Sequence, residues 1–135
     1  MKTLATAYAA TLVAFLAIDA LWLTRMAPSF YRPIMGDMAL EDFRPAPAIV
    51  FYLLFIAALV FFAVKPGLST SLGSTMLHAA FFGLVAYGTY DLTNHATLKN
   101  WSTALTVVDM GWGAILSAAA AGIGRTVTLW LAPPV

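Results

Sequence analysis

From Ala48 to Val64 the chain reads AIVFYLLFIAALVFFAV, without a charge and without a polar face. A run like this constrains the fold more than any other feature. In hydrocarbon a backbone is satisfied only as a helix or a closed barrel, and a run this apolar with no strand-like alternation reads as a helix. Three more long apolar stretches flank it. The whole chain is 61% hydrophobic and 10% charged, whereas a soluble domain is about 45–50% apolar and about 25% charged. The charges are too few to cover a soluble surface, so the chain is expected to be an integral membrane protein.

Four helices are predicted, at about residues 3–24, 48–64, 74–94 and 103–124, each near the ~20 residues that cross a bilayer. The expected fold is all-α: a transmembrane four-helix bundle, up-down-up-down, forming one membrane domain over residues 1–135. Lys2 and the apolar stretch after it resemble a secretory leader. The stretch continues to Leu23 with no small-residue cleavage site before Arg25, so it is taken as a retained first helix. Pro28, Pro33, Pro45 and Pro47 act as breakers and predict a long loop from Met26 to Pro47. Its aromatic residues, Phe30, Tyr31 and Phe43, favour an ordered lid. Lys65-Pro66-Gly67 is expected to stop helix 2, and Arg125 to mark the exit of helix 4 with a tail beyond.

Four spans place both termini on one side with Lys2, Lys65 and Arg125. Arg25, Arg32, Arg44 and Lys99 lie on the other. By the positive-inside rule the two sides nearly tie, and the compact basic loops favour cytoplasmic termini. There is no cysteine, hence no disulfide or thiolate chemistry. A net charge of +1 with no basic run argues against nucleic acid as a partner. Metal ligation has little support, because no His or Glu pair has ligand spacing on a helix. No Ser-His-Asp order or glycine-rich phosphate loop stands out, and the sequence leaves any cofactor open.

Three carboxylates interrupt the apolar helices: Asp19, Asp91 and Asp109. A charge at the centre of an inserted helix costs roughly 2.5–3.5 kcal/mol, so the fold has to offset it. The ends of helices 1 and 3 and the start of helix 4 meet at one membrane face, which puts all three acids in one leaflet. Tyr87, Asp91 and Asn94 share one face of helix 3. Asp19 and Trp22, like Asp109 and Trp112, follow a D-x-x-W spacing that lets each indole donate to its own carboxylate. The acids are expected to point into one cavity, with Asp91 and Asp109 the closest pair. Trp22 and Trp112 should edge it, and Tyr31 or Phe30 should cover it. Arg25, Arg44 or Lys99 could reach in to one of them. Asp91 is the candidate acid or base, Asp19 and Asp109 its partners, and Tyr87 and Asn94 the orienting groups. His78, at the opposite end of helix 3, reads as a packing residue.

Several motifs together resemble the DUF2177 family of predicted bacterial membrane proteins: Asp19 to Leu23 (DALWL), Phe30-Tyr31, Phe51 to Phe55 (FYLLF), Gly83 to Trp101 (GLVAYGTYDLTNHATLKNW) and Asp109 to Gly113 (DMGWG). The resemblance implies a small multi-pass protein of the bacterial inner membrane and supplies no catalytic residues. From the acids themselves the leading expectation is a polar intramembrane site that binds or processes an amphiphilic small molecule. A small transporter or proton-coupled exchanger is the first alternative. A structural subunit, with the acids as interhelical glue, is the second. Whether the chain is an enzyme, and in what oligomeric state it works, the sequence leaves open.

Overall fold

The computed structural model describes residues 1–134. Among these the fold is all-helical, with four long helices: α1 (Lys2–Met38), α2 (Pro45–Gly67), α3 (Leu72–Thr97) and α4 (Thr103–Leu131). Three of them, α1, α2 and α4, are long and apolar enough to cross a membrane. α3 has comparable length. Its hydropathy is lowered by His78, Tyr87, Tyr90, Asp91, Asn94 and His95.

Every helix outruns its predicted bounds, and the largest correction falls on the first loop. α1 continues through 37 residues, about 55 Å at the usual rise, against a hydrocarbon core of about 30 Å. The expected loop from Met26 to Pro47 therefore shrinks to residues 39–44. Pro28 fails to break the helix because the turn around it widens. Ala27–Tyr31 is a π-turn in which the Arg32 amide reaches back to the Ala27 carbonyl. The Ser29 hydroxyl donates to the Arg25 carbonyl at 2.5 Å. A π-turn and a hydroxyl are two of the means by which a membrane helix tolerates proline.

The same device recurs in α2. Val60–Val64 is a π-turn, with the Lys65 amide on the Val60 carbonyl, and the helix passes Pro66 to end at Gly67. Nor does Arg125 mark an exit, since α4 runs on to Leu131. The Arg125 guanidinium instead donates to the carbonyls of Gly67 at 2.8 Å and Thr70 at 2.5 Å. It thereby ties α4 to the end of α2 and to the connection that follows it. Ser71 and Ser102 cap α3 and α4, their hydroxyls accepting from the amides of Ser74 and Leu105.

α4 is the most buried helix. Its residues Gly113, Ser117 and Ala121 are all buried and form a ridge narrow enough for α3 to approach. A Cβ on Gly83 would strike the Gly113 carbonyl and the Ser117 hydroxyl. A Cβ on Gly124 would likewise strike Thr11 of α1. Small residues let membrane helices pack backbone to backbone in this way. Along α1 and α4 the contacts pair Thr11 with Gly124 and Trp22 with Trp112, so the two helices run in opposite senses. Away from the acids the core is mostly apolar, with Phe15 from α1, Ile56, Leu59 and Val64 from α2, Ala79 from α3, and Leu116 and Ala120 from α4, and the hydroxyls of Thr11, Thr75, Ser117 and Thr128 are buried among them.

Candidate functional site

The two D-x-x-W motifs meet where α1 and α4 cross. Trp22 and Trp112 stack at 4.1 Å with a 7° interplanar angle. Because the helices are antiparallel, Asp19 lies one turn to one side of the stacked indoles and Asp109 one turn to the other. At 1.5 Å per residue they are about 9 Å apart along the axis. Each indole serves the opposite motif rather than its own. Trp112 Nε1 donates to Asp19 Oδ1 at 3.0 Å. Trp22 Nε1 donates to Tyr31 Oη at 3.2 Å, and Tyr31 Oη donates to Asp109 Oδ1 at 2.5 Å. The self-paired arrangement expected from the spacing is replaced by a crossed one, since antiparallel packing sets each indole beside the partner helix.

Asp19 is fully served. It is 5% exposed, and its second oxygen accepts from Tyr52 Oη of α2 at 2.6 Å. Asp91 is the opposite case. It is 0% exposed, and neither of its oxygens has a donor among the described residues. What it faces is Asp109, whose carboxyl lies within hydrogen-bonding reach. Carboxylates only accept, so this pair closes a hydrogen bond only when one of them carries a proton. The donors that reach Asp19 and Asp109 are phenols and indoles. Arg25, Arg44 and Lys99, expected to reach in, are all exposed.

Beside the pair lies a cavity of about 280 Å³, lined by Phe51 of α2, by Ala86, Tyr87 and Tyr90 of α3, and by Asp109. Phe51 and Tyr90 are exposed on the outer surface, so the cavity sits in the cleft between α2 and α3. Of the three acids Asp109 alone lines it. Asp91 neighbours Asp109 without lining the cavity, and Asp19 lies across the indoles. The single cavity expected for all three thus holds one carboxyl, with a second beside it outside the lining, and Trp22 and Trp112 lie outside the lining too.

The remaining candidate residues scatter around this centre. Tyr31 reaches Asp109 from the extension of α1 rather than from a lid loop, with Phe30 packed on it edge to face at 5.5 Å. Tyr87 forms a cavity wall, and its ring fills the space that a Cβ on Gly113 would need. Asn94 is half-buried one turn beyond Tyr90, and Lys99 is exposed in the α3–α4 connection. His78 is exposed, and its Nδ1 lies 2.7 Å from the Ser74 carbonyl on its own helix.

Tyr52 was missed from the sequence, as were Phe51 and Tyr90 as lining groups. Tyr52 carried a usable signal. It is the one hydrogen-bonding side chain between Ala48 and Val64, and a buried hydroxyl needs a partner. Phe51 and Tyr90 carried no such signal, because apolar and aromatic residues surround both. Among the described residues no three His, Asp or Glu side chains group as a metal site.

The chain matches the family described as "Predicted membrane protein (DUF2177)" over residues 4–126. It belongs to that family, whose description assigns no activity. No curated protein and no solved structure matches it.

Proposed function

We propose that this DUF2177 member crosses the bacterial inner membrane four times, up-down-up-down. In one leaflet it binds an amphiphile that enters sideways through the α2–α3 cleft. The head group meets Asp109, and the tail stays in lipid along the exposed faces of α2 and α3. One observation carries this reading: a cavity lined by an acceptor, beside a buried carboxyl with no donor. A natural fold pairs nearly all its buried polar groups. A carboxyl left over next to a cavity is therefore a candidate ligand group rather than glue. Asp19, held by Tyr52 and Trp112, is the glue.

At about 280 Å³ the cavity is at the small end for ligand pockets, which run from about 300 to 1,000 Å³. It suits a head group more than a whole amphiphile. An exchanger would need a polar path to the far face. That half of the interior holds Phe15, Ile56, Leu59, Val64 and Leu116, with scattered hydroxyls of Thr11, Thr75, Ser117 and Thr128 and no carboxyl, which weighs against this alternative.

The test compares small molecules retained through purification by the wild type and by Asp91→Asn, read by mass spectrometry. An asparagine amide would donate to Asp109 and occupy the acceptor that the ligand needs. The expected result is an amphiphile held by the wild type and depleted in the variant. An identical set of molecules in both, or none in either, overturns the reading.

A further inference from the structure

Resting on that amphiphile reading, we infer that the head group is a cationic amine, held by Asp109 and caged by the rings of Phe51, Tyr87 and Tyr90. Two observations converge on it. The first is charge. Asp91 and Asp109 form a pair with Asp19 across the indoles, and among the described residues no lysine or arginine is paired with any of the three. Arg25, Arg44 and Lys99 are exposed. Buried charge is stable only when it is compensated. The phenols and indoles compensate Asp19 and one oxygen of Asp109. The Asp91–Asp109 pair has no cationic partner among the described residues.

The second observation is the wall. Three of the five residues lining the cavity are aromatic, and the fourth contributor of consequence is a carboxyl. Aromatic faces are negative and bind ammonium groups, quaternary ones above all, where water is excluded. A hard metal ion is a poor fit. Magnesium or calcium needs about six oxygen ligands, and this cavity offers one carboxylate and two phenols among apolar surfaces. A neutral hydroxyl head would bond Asp109 and leave the pair without a cationic partner. An anionic head would be repelled.

The amine belongs either to a free amphiphilic amine or to a lipid head group such as ethanolamine. The experiment uses the full-length protein in dodecylmaltoside, titrated by calorimetry with three probes: benzyltrimethylammonium, its uncharged isostere neopentylbenzene, and benzyl alcohol. Benzyltrimethylammonium is expected to bind at least about tenfold more tightly than the isostere, the scale of a desolvated cation–π cage. Asp109→Asn should erase that preference. Phe51→Leu, at an exposed position that leaves the hydrogen-bond network intact, should lower ammonium affinity about fivefold and leave neopentylbenzene unchanged.

Benzyl alcohol binding at this site without ammonium binding overturns the cationic assignment and leaves the amphiphile reading standing. Binding of none of the three overturns both. Equal loss of ammonium and isostere in Phe51→Leu also overturns the cage. To separate the sources, the titration is repeated in phosphatidylglycerol nanodiscs with and without phosphatidylethanolamine. Competition by the added lipid supports a lipid head group, and unchanged ammonium affinity supports a free amine.

Discussion

Asp19 and Asp91 are the same side chain at nearly the same depth of burial, 5% and 0% exposed, and their surroundings treat them oppositely. Asp19 accepts one phenol and one indole, whereas Asp91 accepts nothing. The isosteric change to asparagine should therefore act with opposite sign at the two sites. Asp19→Asn is expected to lose about 1–2 kcal/mol, because both bonds lose their charge assistance and an amide nitrogen cannot accept. Asp91→Asn is expected to be neutral, or more stable by about 1 kcal/mol, because its amide gives Asp109 a donor. Thermal unfolding of ligand-free protein in detergent checks both. Equal destabilisation would mean that Asp91 has a structural partner after all. The two roles were not separable from sequence, since both residues read as an acid in an apolar helix. Which of them finds donors depends on Tyr52 and Trp112, both distant in the chain.

At the level of the helix, α4 holds two glycines with different work to do. Gly111 has open space where a Cβ would go, and Gly113 has the ring of Tyr87 there. Gly113→Ala is expected to cost about 1–3 kcal/mol through overpacking and to push Tyr87 out of the cavity wall. Gly111→Ala should gain up to about 1 kcal/mol of helix propensity. Unfolding midpoints and ligand retention measured together would show it, and a Gly113→Ala variant that keeps both would break the link from Gly113 to the cavity. Both glycines look alike in the run DMGWG. The small-residue ridge itself was legible, because Gly113, Ser117 and Ala121 recur every fourth residue. Helix ends were less so. In water a proline inside a helix costs about 3 kcal/mol, and on that ground Pro28 read as a stop, whereas Lys65-Pro66-Gly67 does end its helix, at Gly67. The π-turn at Ala27–Tyr31 accommodates Pro28, and no residue pattern around it announces a π-turn.

For the whole molecule the decisive question is whether α3, the least apolar of the four helices, crosses the membrane with the others. The chain has no cysteine, so single cysteines can be introduced at Ser69 and at Asn100, in the connections that precede and follow α3. With an impermeant maleimide on intact cells the two positions should label with opposite accessibility. Labelling of both from one side would leave α3 uncrossed and the four-span arrangement wrong. The expectation rests on energetics. α3 buries its acid, Asp91, against α4, while Leu77, Phe81, Val85 and Leu92 remain exposed and apolar. A helix presenting such residues outward is stable in lipid.

The sequence alone determined the solvent and the class of fold. Long uncharged runs leave a backbone no alternative to helices in a membrane, and apolar transfer depends on composition, which is local. It also identified the three acids, because a carboxyl in an apolar run is costly wherever it ends up. What it could not decide was who answers each acid. Antiparallel packing of α1 on α4 crosses the two D-x-x-W motifs, the π-turn at Ala27–Tyr31 brings a phenol to Asp109 from 78 residues away, and Tyr52 claims Asp19 from a third helix. Hydrogen bonds act over about 3 Å, so which carboxyl is satisfied and which is left for a ligand depends on how the helices turn and tilt against one another, and only the tertiary structure decides that.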